Sequence, residues 1–235
     1  MQGNSEDHLQ QLIQMILDGK SFSVIRPSDG EFHVLSNCTL TNIDNWTFQA
    51  GGLLQQDLMA AVSTTHPNLF IGIPCNHCSK QMCSIYKSVL QIPKDHITYA
   101  NLFCNSNWNP FISFLKSYTK GFYVVTSGEK DTSEFSILGR YAIDPYLVNQ
   151  WDTRREDETR KLFEWISTKK NNLILFCAGP LAKVWIANLV QVYPENTYLD
   201  VGSVLDSFLK GTTNRHYAFN DGNELTRAIC DLSIE

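Results

Sequence analysis

The sequence is defined first by what it does not contain. No apolar run in its 235 residues approaches the roughly 20 that a membrane-spanning helix requires. The opening residues, Met1 to Glu6, have neither the basic stretch nor the apolar core of a secretory leader, so a soluble, cytoplasmic chain is expected. No cluster of Lys or Arg stands out. With 19 basic against 24 acidic residues the formal charge is −5, which argues against nucleic acid as a partner. None of the 13 glycines forms Gly-x-Gly-x-x-Gly, so the usual dinucleotide or S-adenosylmethionine loop is missing. The seven cysteines are odd in number and scattered, which fits free thiols better than a disulfide framework. Asn37-Cys38-Thr39 and Asn45-Trp46-Thr47 match the glycosylation sequon, but without a leader they read as chance matches.

What is present is an ordinary globular composition, 43% hydrophobic and 18% charged, at a length suited to one domain over residues 1–235. Leu9, Leu12, Ile13, Ile16 and Leu17 recur at helical spacing and predict a helix over 6–19. Short apolar runs at 21–25, 69–73, 97–101, 122–126, 173–176 and 197–201 read as strands. Helical patterns at 53–62, 80–90, 110–118, 156–168 and 181–192 fall between them. Residues 37–45 read as irregular, 128–150 give no clear pattern, and 210–235 suggest polar clusters with one short helix. Strand and helix alternate, so the expected fold is α/β: a Rossmann-like, mainly parallel sheet with helices on both faces. Ligands of such sheets bind beyond the carboxyl ends of the strands.

Two strand ends carry chemistry. After the first strand comes Arg26-Pro27-Ser28-Asp29-Gly30-Glu31. In extended or turn backbone, residues i and i+2 point the same way, so Asp29 and Glu31 are expected to face one point across Gly30. Two hard carboxylates suit Mn²⁺ or Mg²⁺, which leave room for substrate phosphates. Arg26 just upstream could pair with a phosphate or orient a carboxylate. Taken alone, Ser-Asp-Gly is also ordinary turn chemistry. The second strand end is Cys177-Ala178-Gly179-Pro180, entering a helix whose first-turn amides and Lys183 could meet an anion. A further strand ends in Asp200-Val201-Gly202 and leads to Asp206. Asp200 or Asp206 could orient a sugar or ribose hydroxyl, or one could act as the base for an acceptor.

Residues 22–32 resemble the strand and Arg-x-Gly-Asp-Gly-Glu loop of the GT-D type glycosyltransferases, a family first defined as a domain of unknown function in bacterial glycosylation clusters. Residues 173–184 and 198–206 are similar to that family's later strand, Gly-Pro, helix, and strand ending in Asp-x-Gly-x-x-x-Asp. The likeness covers about 20–35 and 172–210, and Ser28 stands where the family has Gly. It implies a Rossmann-like fold and metal-dependent transfer of a sugar, hexose-type, from a nucleotide-sugar donor such as a UDP-sugar to a glycan or other hydroxyl acceptor. Asp29 and Glu31 are then the metal and diphosphate ligands. Arg26, Gly30, Gly179, Pro180, Lys183, Asp200 and Gly202 form the donor site.

Other residues stay open. His77, Asn101, Asn105 and Arg215 are possible substrate contacts. Cys75-x-x-Cys78, with Cys83 and Cys104 farther on, looks like part of a zinc site but lacks a second pair at suitable spacing. The alternatives to a transferase of sugars are a Rossmann-like methyltransferase and a non-catalytic nucleotide- or carbohydrate-binding module. Oligomeric state is not legible.

Overall fold

Buried strands and amphipathic helices alternate along the chain, and the inner strands are too apolar to leave either face in water. The computed structural model describes residues 3–42, 46–90, 92–219 and 229–230. Helix α1 (Ser5–Leu17) starts at an Asn4 cap, whose side chain accepts from the Glu6 and Asp7 amides. It buries Leu9, Leu12 and Ile16, each contributing about 1.5–3 kcal/mol on leaving water. Then come β1 (Ser23–Ile25), α2 (Asp29–Leu35), a small antiparallel hairpin β2 (Leu40–Thr41) and β3 (Thr47–Phe48), and α3 (Leu53–Val62). The middle of the chain adds β4 (Leu69–Ile73), α4 (Asn76–Val89), β5 (Ile97–Tyr99), α5 (Trp108–Ser117), β6 (Phe122–Thr126) and β7 (Ile137–Ala142). The last part gives α6 (Trp151–Ser167), β8 (Leu173–Cys177), α7 (Pro180–Val192), β9 (Thr197–Asp200) and α8 (Asp206–Leu209).

Seven strands form one sheet in the order β5-β4-β1-β9-β8-β6-β7. Every pairing in it is parallel, from Ser23 against Leu69 to Leu175 against Leu199. The expected α/β fold is therefore the observed one. Right-handed crossovers place α3, α6 and α7 on one face, where α3 packs against both α6 and α7, and α7 lies on β1 and β9. The β5-to-β6 crossover runs the other way across the sheet and carries α5 to the opposite face. There α1 joins it at the 3-10 turn Asn105–Asn107. α7 is buried nearly all round, as a helix pressed between sheet and helices must be.

Three segments differ from expectation. Leu40 and Thr41, in the stretch 37–45 expected to be irregular, pair as β2 with Phe48 and Thr47 of β3. β7 lies in the unpatterned stretch; it is an edge strand, half exposed, and its Gly139-Arg140 interrupts any apolar run. Asp29, expected in a loop, opens α2. The polar tail shows a 3-10 turn at His216–Ala218, and residues 220–228 and 231–235 lie outside the described part.

Candidate active site

The order of strands sets where a ligand can sit. From β1 the chain steps to β4 and β5 on one side, and it returns through β8 to β9 from the other. The loops after β1 and β9 therefore part, and a cleft of about 560 Å³ opens between them at the carboxyl ends of the strands. Its lining includes Arg26, Asp29, Gly30, Glu31, Gly179, Lys183, Gly202 and Asp206. Asn101, Asn105 and Arg215 line it too. Three expected residues do not. Pro180 is buried as the first residue of α7, Asp200 is fully buried below the cleft floor, and His77 is exposed at the start of α4.

The floor is a buried ion network. Lys183 Nζ lies 2.8 Å from Glu31 Oε1, 3.0 Å from Asp200 Oδ2 and 3.2 Å from the Gly179 carbonyl. Burial disfavours the ammonium, but Asp200 and Glu31 outweigh it, and the Lys183 pKa is raised. Arg26 is tied down equally well. Its backbone N–H donates to Asp200 Oδ2 at 2.9 Å, and its guanidinium donates to the carbonyls of Asp200 and Ala100 while lying over the Phe103 ring. Asp200 Oδ1 is buried with no protein hydrogen-bond partner.

This network revises three expectations. Lys183 does not reach outward for a phosphate; it neutralises two carboxylates beneath the site. Asp200 has no exposed surface and cannot orient a sugar hydroxyl; it holds Arg26 and Lys183. Asp29 and Glu31 are first and third residues of a helix, where i and i+2 diverge, so their convergence does not follow from extended backbone. Glu31 turns back instead, and its Oε2 accepts the Ser28 N–H at 3.0 Å while Oε1 meets Lys183. Asp29 is exposed at the cleft wall.

Backbone shape completes this wall. Gly179 at φ +53° and Gly202 at φ +55° occupy left-handed conformations that L side chains rarely adopt. The start of α7 offers fewer donors than expected: Pro180 has no N–H, and the Leu181 and Ala182 amides bond to the Ala178 and Gly179 carbonyls. A Cβ on Gly30 would sit 3.2 Å from the Trp46 ring, so the glycine makes room for a tryptophan delivered by the hairpin. The Tyr86 hydroxyl donates to the Ser28 carbonyl and fixes the loop from behind.

The opposite wall joins two expected residues, Asp206 and Arg215, to others the sequence did not single out. Asp206 pairs with Lys210 at 3.1 Å. Arg215 Nε donates to Ser203 Oγ at 2.9 Å, and the Tyr217 hydroxyl lies 3.2 Å from the same oxygen. Asp144 faces the cleft and is held by Arg154. Asp206 and Arg215 were legible in the sequence; Trp46, Ser203, Lys210, Tyr217 and Asp144 had no signal beyond residue type.

No family model matches the sequence, and no curated protein matches it. Solved structures do. Domain of unknown function 1792, described as highly conserved and as having a distinct glycosyltransferase fold, is 18% identical with a TM-score of 0.60, over 92% of this chain and 89% of its own. Its selenomethionine form gives 18% identity and 0.59 over the same shares. A protein of Streptococcus sanguinis described as a new glycosyltransferase of that domain gives 19% and 0.60, over 87% of this chain and 84% of its own. The chain has the fold of domain of unknown function 1792. The two motifs at 22–32 and 173–206, which imply this fold by resemblance, are the segments that form the cleft floor and its carboxylate wall.

Proposed function

We propose that this protein is a glycosyltransferase that moves a sugar, hexose-type, from a nucleotide-sugar donor, a UDP-sugar in the first instance, to a glycan or other hydroxyl acceptor. The observation that carries the reading is the cleft itself: an exposed carboxylate, Asp29, stands over an internally neutralised floor at the switch point of a glycosyltransferase fold. Four basic and four acidic side chains line that cleft. Arg26 and Lys183 are already matched by Asp200 and Glu31, and Lys210 by Asp206. Arg215, bonded to Ser203, is left as one cation against a diphosphate that carries at least two negative charges, so the donor would need a further cation from outside.

The donor set fits Mn²⁺ or Mg²⁺. Such ions take one or two carboxylates plus phosphates and water, which Asp29 and the remaining lone pairs of Glu31 supply. A bound divalent ion would offset the charge that gathers on the leaving nucleotide diphosphate. The chain's own residues do the rest. Gly179 and Gly202 let the backbone approach the donor closely, Arg26 and Lys183 keep the floor rigid and electrically balanced, and Asp206 at the far wall takes the proton of the acceptor hydroxyl. Arg215 and Asn105 flank the space where sugar and acceptor would meet, with Asn101 at its floor. A cytoplasmic setting accords with the described residues, which contain no helix long and apolar enough to cross a membrane.

The test is a thermal-shift screen of UDP-, GDP-, CMP- and dTDP-sugars with and without Mn²⁺. A ligand at 100 times its Kd adds about 2.7 kcal/mol of stability. Metal-dependent stabilisation by one nucleotide class, lost in Asp29→Ala, is the expected result. Stabilisation by S-adenosylmethionine, or by donor without any nucleotide release, would replace the proposal with the methyltransferase or the binding module.

A further inference from the structure

Two neighbouring cysteines, Cys75 and Cys78, meet a third from far along the chain, Cys230, beside the cleft. Cys75 caps α4, and its Sγ lies 3.4 Å from that of Cys78. Cys78 Sγ lies 3.4 Å from Cys230 Sγ, and all three sulfurs fall within 4.8 Å of one another. These are contacts between separate sulfurs, not bonds. In a tetrahedral zinc site with Zn–S near 2.3 Å, neighbouring sulfurs stand about 3.8 Å apart. A movement of a few tenths of an ångström would therefore admit the ion.

The surroundings are those of a metal site. The Cys78 amide donates to Cys75 Sγ at 3.4 Å, and Asn101 Nδ2 lies 3.1 Å from Cys78 Sγ and 3.7 Å from Cys230 Sγ. Such N–H donors to sulfur orient thiolate ligands and moderate their charge. Cys230 is itself anchored: its carbonyl accepts the Ser5 N–H at 2.8 Å and its N–H donates to Ser5 Oγ at 3.0 Å. The four-residue spacing Cys75-x-x-Cys78 is that of half a zinc site, and the sequence reading sought the other half in Cys83 and Cys104. The fold sends both elsewhere. Cys83 is buried in the core, and Cys104 lies against Arg26.

We infer that Cys75, Cys78 and Cys230 form a zinc site that clips the segment around Cys230 to the start of α4 and to α1. Binding releases the thiol protons to solvent and forms three Zn–S bonds, with no change of oxidation state. The exposed Cys78 leaves the fourth position to water or an external thiol. The site lies outside the donor pocket but touches it through Asn101, which lines the cleft, next to Ala100, whose carbonyl holds Arg26. Zinc there would fix the cleft floor without taking part in sugar transfer.

The experiment measures metal and thiols on the full chain, purified under reducing conditions from zinc-supplemented cells. One zinc per chain is expected by elemental analysis. Replacing it with Co²⁺ should give thiolate-to-cobalt charge-transfer absorption. Cys230→Ser should weaken zinc by more than about 100-fold, the upper range for losing merely a supporting contact. Cys78→Ser, at an exposed position, repeats the test if Cys230→Ser does not fold, and Cys38→Ser should keep its zinc. Asp29→Ala should also keep it, which separates this site from the proposed donor metal. A chain that stays metal-free when offered Zn²⁺, or one with two fewer reactive thiols in denaturant than its seven cysteines, overturns the inference, the latter in favour of a disulfide.

Discussion

The two walls of the cleft are made on different terms. Under the β1 side, charge is satisfied internally: Arg26, Glu31, Lys183 and Asp200 bond to one another and to backbone, and all are buried. On the far side, buried Asp206 pairs with the more exposed Lys210, and part-exposed Arg215 and Tyr217 share Ser203, all on short segments. A buried network of this kind is hard to alter one residue at a time, because removing any member leaves a charge without an answer. The open wall can change piecemeal. On the proposed activity, the first wall would set the shape every donor meets, and the second would set which sugar and acceptor are accepted.

The comparison can be broken most forcefully at its centre. Lys183→Ala leaves Glu31 and Asp200 facing each other without a cation, and should cost about 3–5 kcal/mol by chemical denaturation. Lys210→Ala takes the partly exposed ammonium from buried Asp206 and should cost less, about 1–3 kcal/mol. Near-equal losses would erase the distinction between the walls. Asp29→Ala should do the reverse of Lys183→Ala: turnover falls by about 10²–10³, as for loss of a group that stabilises transition-state charge, while stability moves within about 0.5 kcal/mol. An unchanged turnover would remove Asp29 from the chemistry.

A smaller effect isolates the backbone. Gly179→Ala meets no steric obstacle, since the nearest atom to a Cβ is Trp46 Nε1 at 3.7 Å, so its cost should be that of a backbone at φ +53° and ψ −135°, which glycine alone adopts readily, about 1–3 kcal/mol. A neutral result would mean that the turn at φ +53° is readily rebuilt. The smallest effect at neutral pH lies outside both walls. His8, packed on Tyr99 and bonded to Thr98, has its pKa lowered by burial from 6.5 to about 4. The unfolded chain then takes up the proton first, so this contribution is complete above pH 6.5 and drains away toward pH 4. His8→Gln should flatten the thermal stability profile across that window. The Lys183 network runs the other way: with its pKa raised, Lys183 keeps its charge through mildly alkaline pH, and its contribution fades only as pH climbs through the raised value.

Most of the sheet was legible because a doubly covered parallel strand is apolar at every position, as in Leu173–Cys177. β7 escaped because an edge strand needs no such run, and Arg140 can bond to the Lys130 carbonyl at the rim. The motif segments were legible as places but not as roles. Asp29, Glu31, Lys183 and Asp200 all fall at or under the cleft, yet burial decides what each does, and no local pattern distinguishes an Asp with no exposed surface from one at the lip. Trp46 and Cys230 show the other limit: both reach their neighbours through tertiary contacts, at separations that spacing rules do not address.

The position of β9 has a consequence for how the protein is made. The strand that lies beside β1 in the middle of the sheet is the last of the seven in the chain. Until residues 197–200 have been synthesised, β1 and β8 each present a bare edge where an interior strand belongs, and α7 has only part of its bed. Such edges invite pairing with other chains. Asp200 arrives with that strand, so Arg26 waits without it through most of synthesis, and Lys183 comes only shortly before it. The floor of the cleft is therefore completed by a single late event.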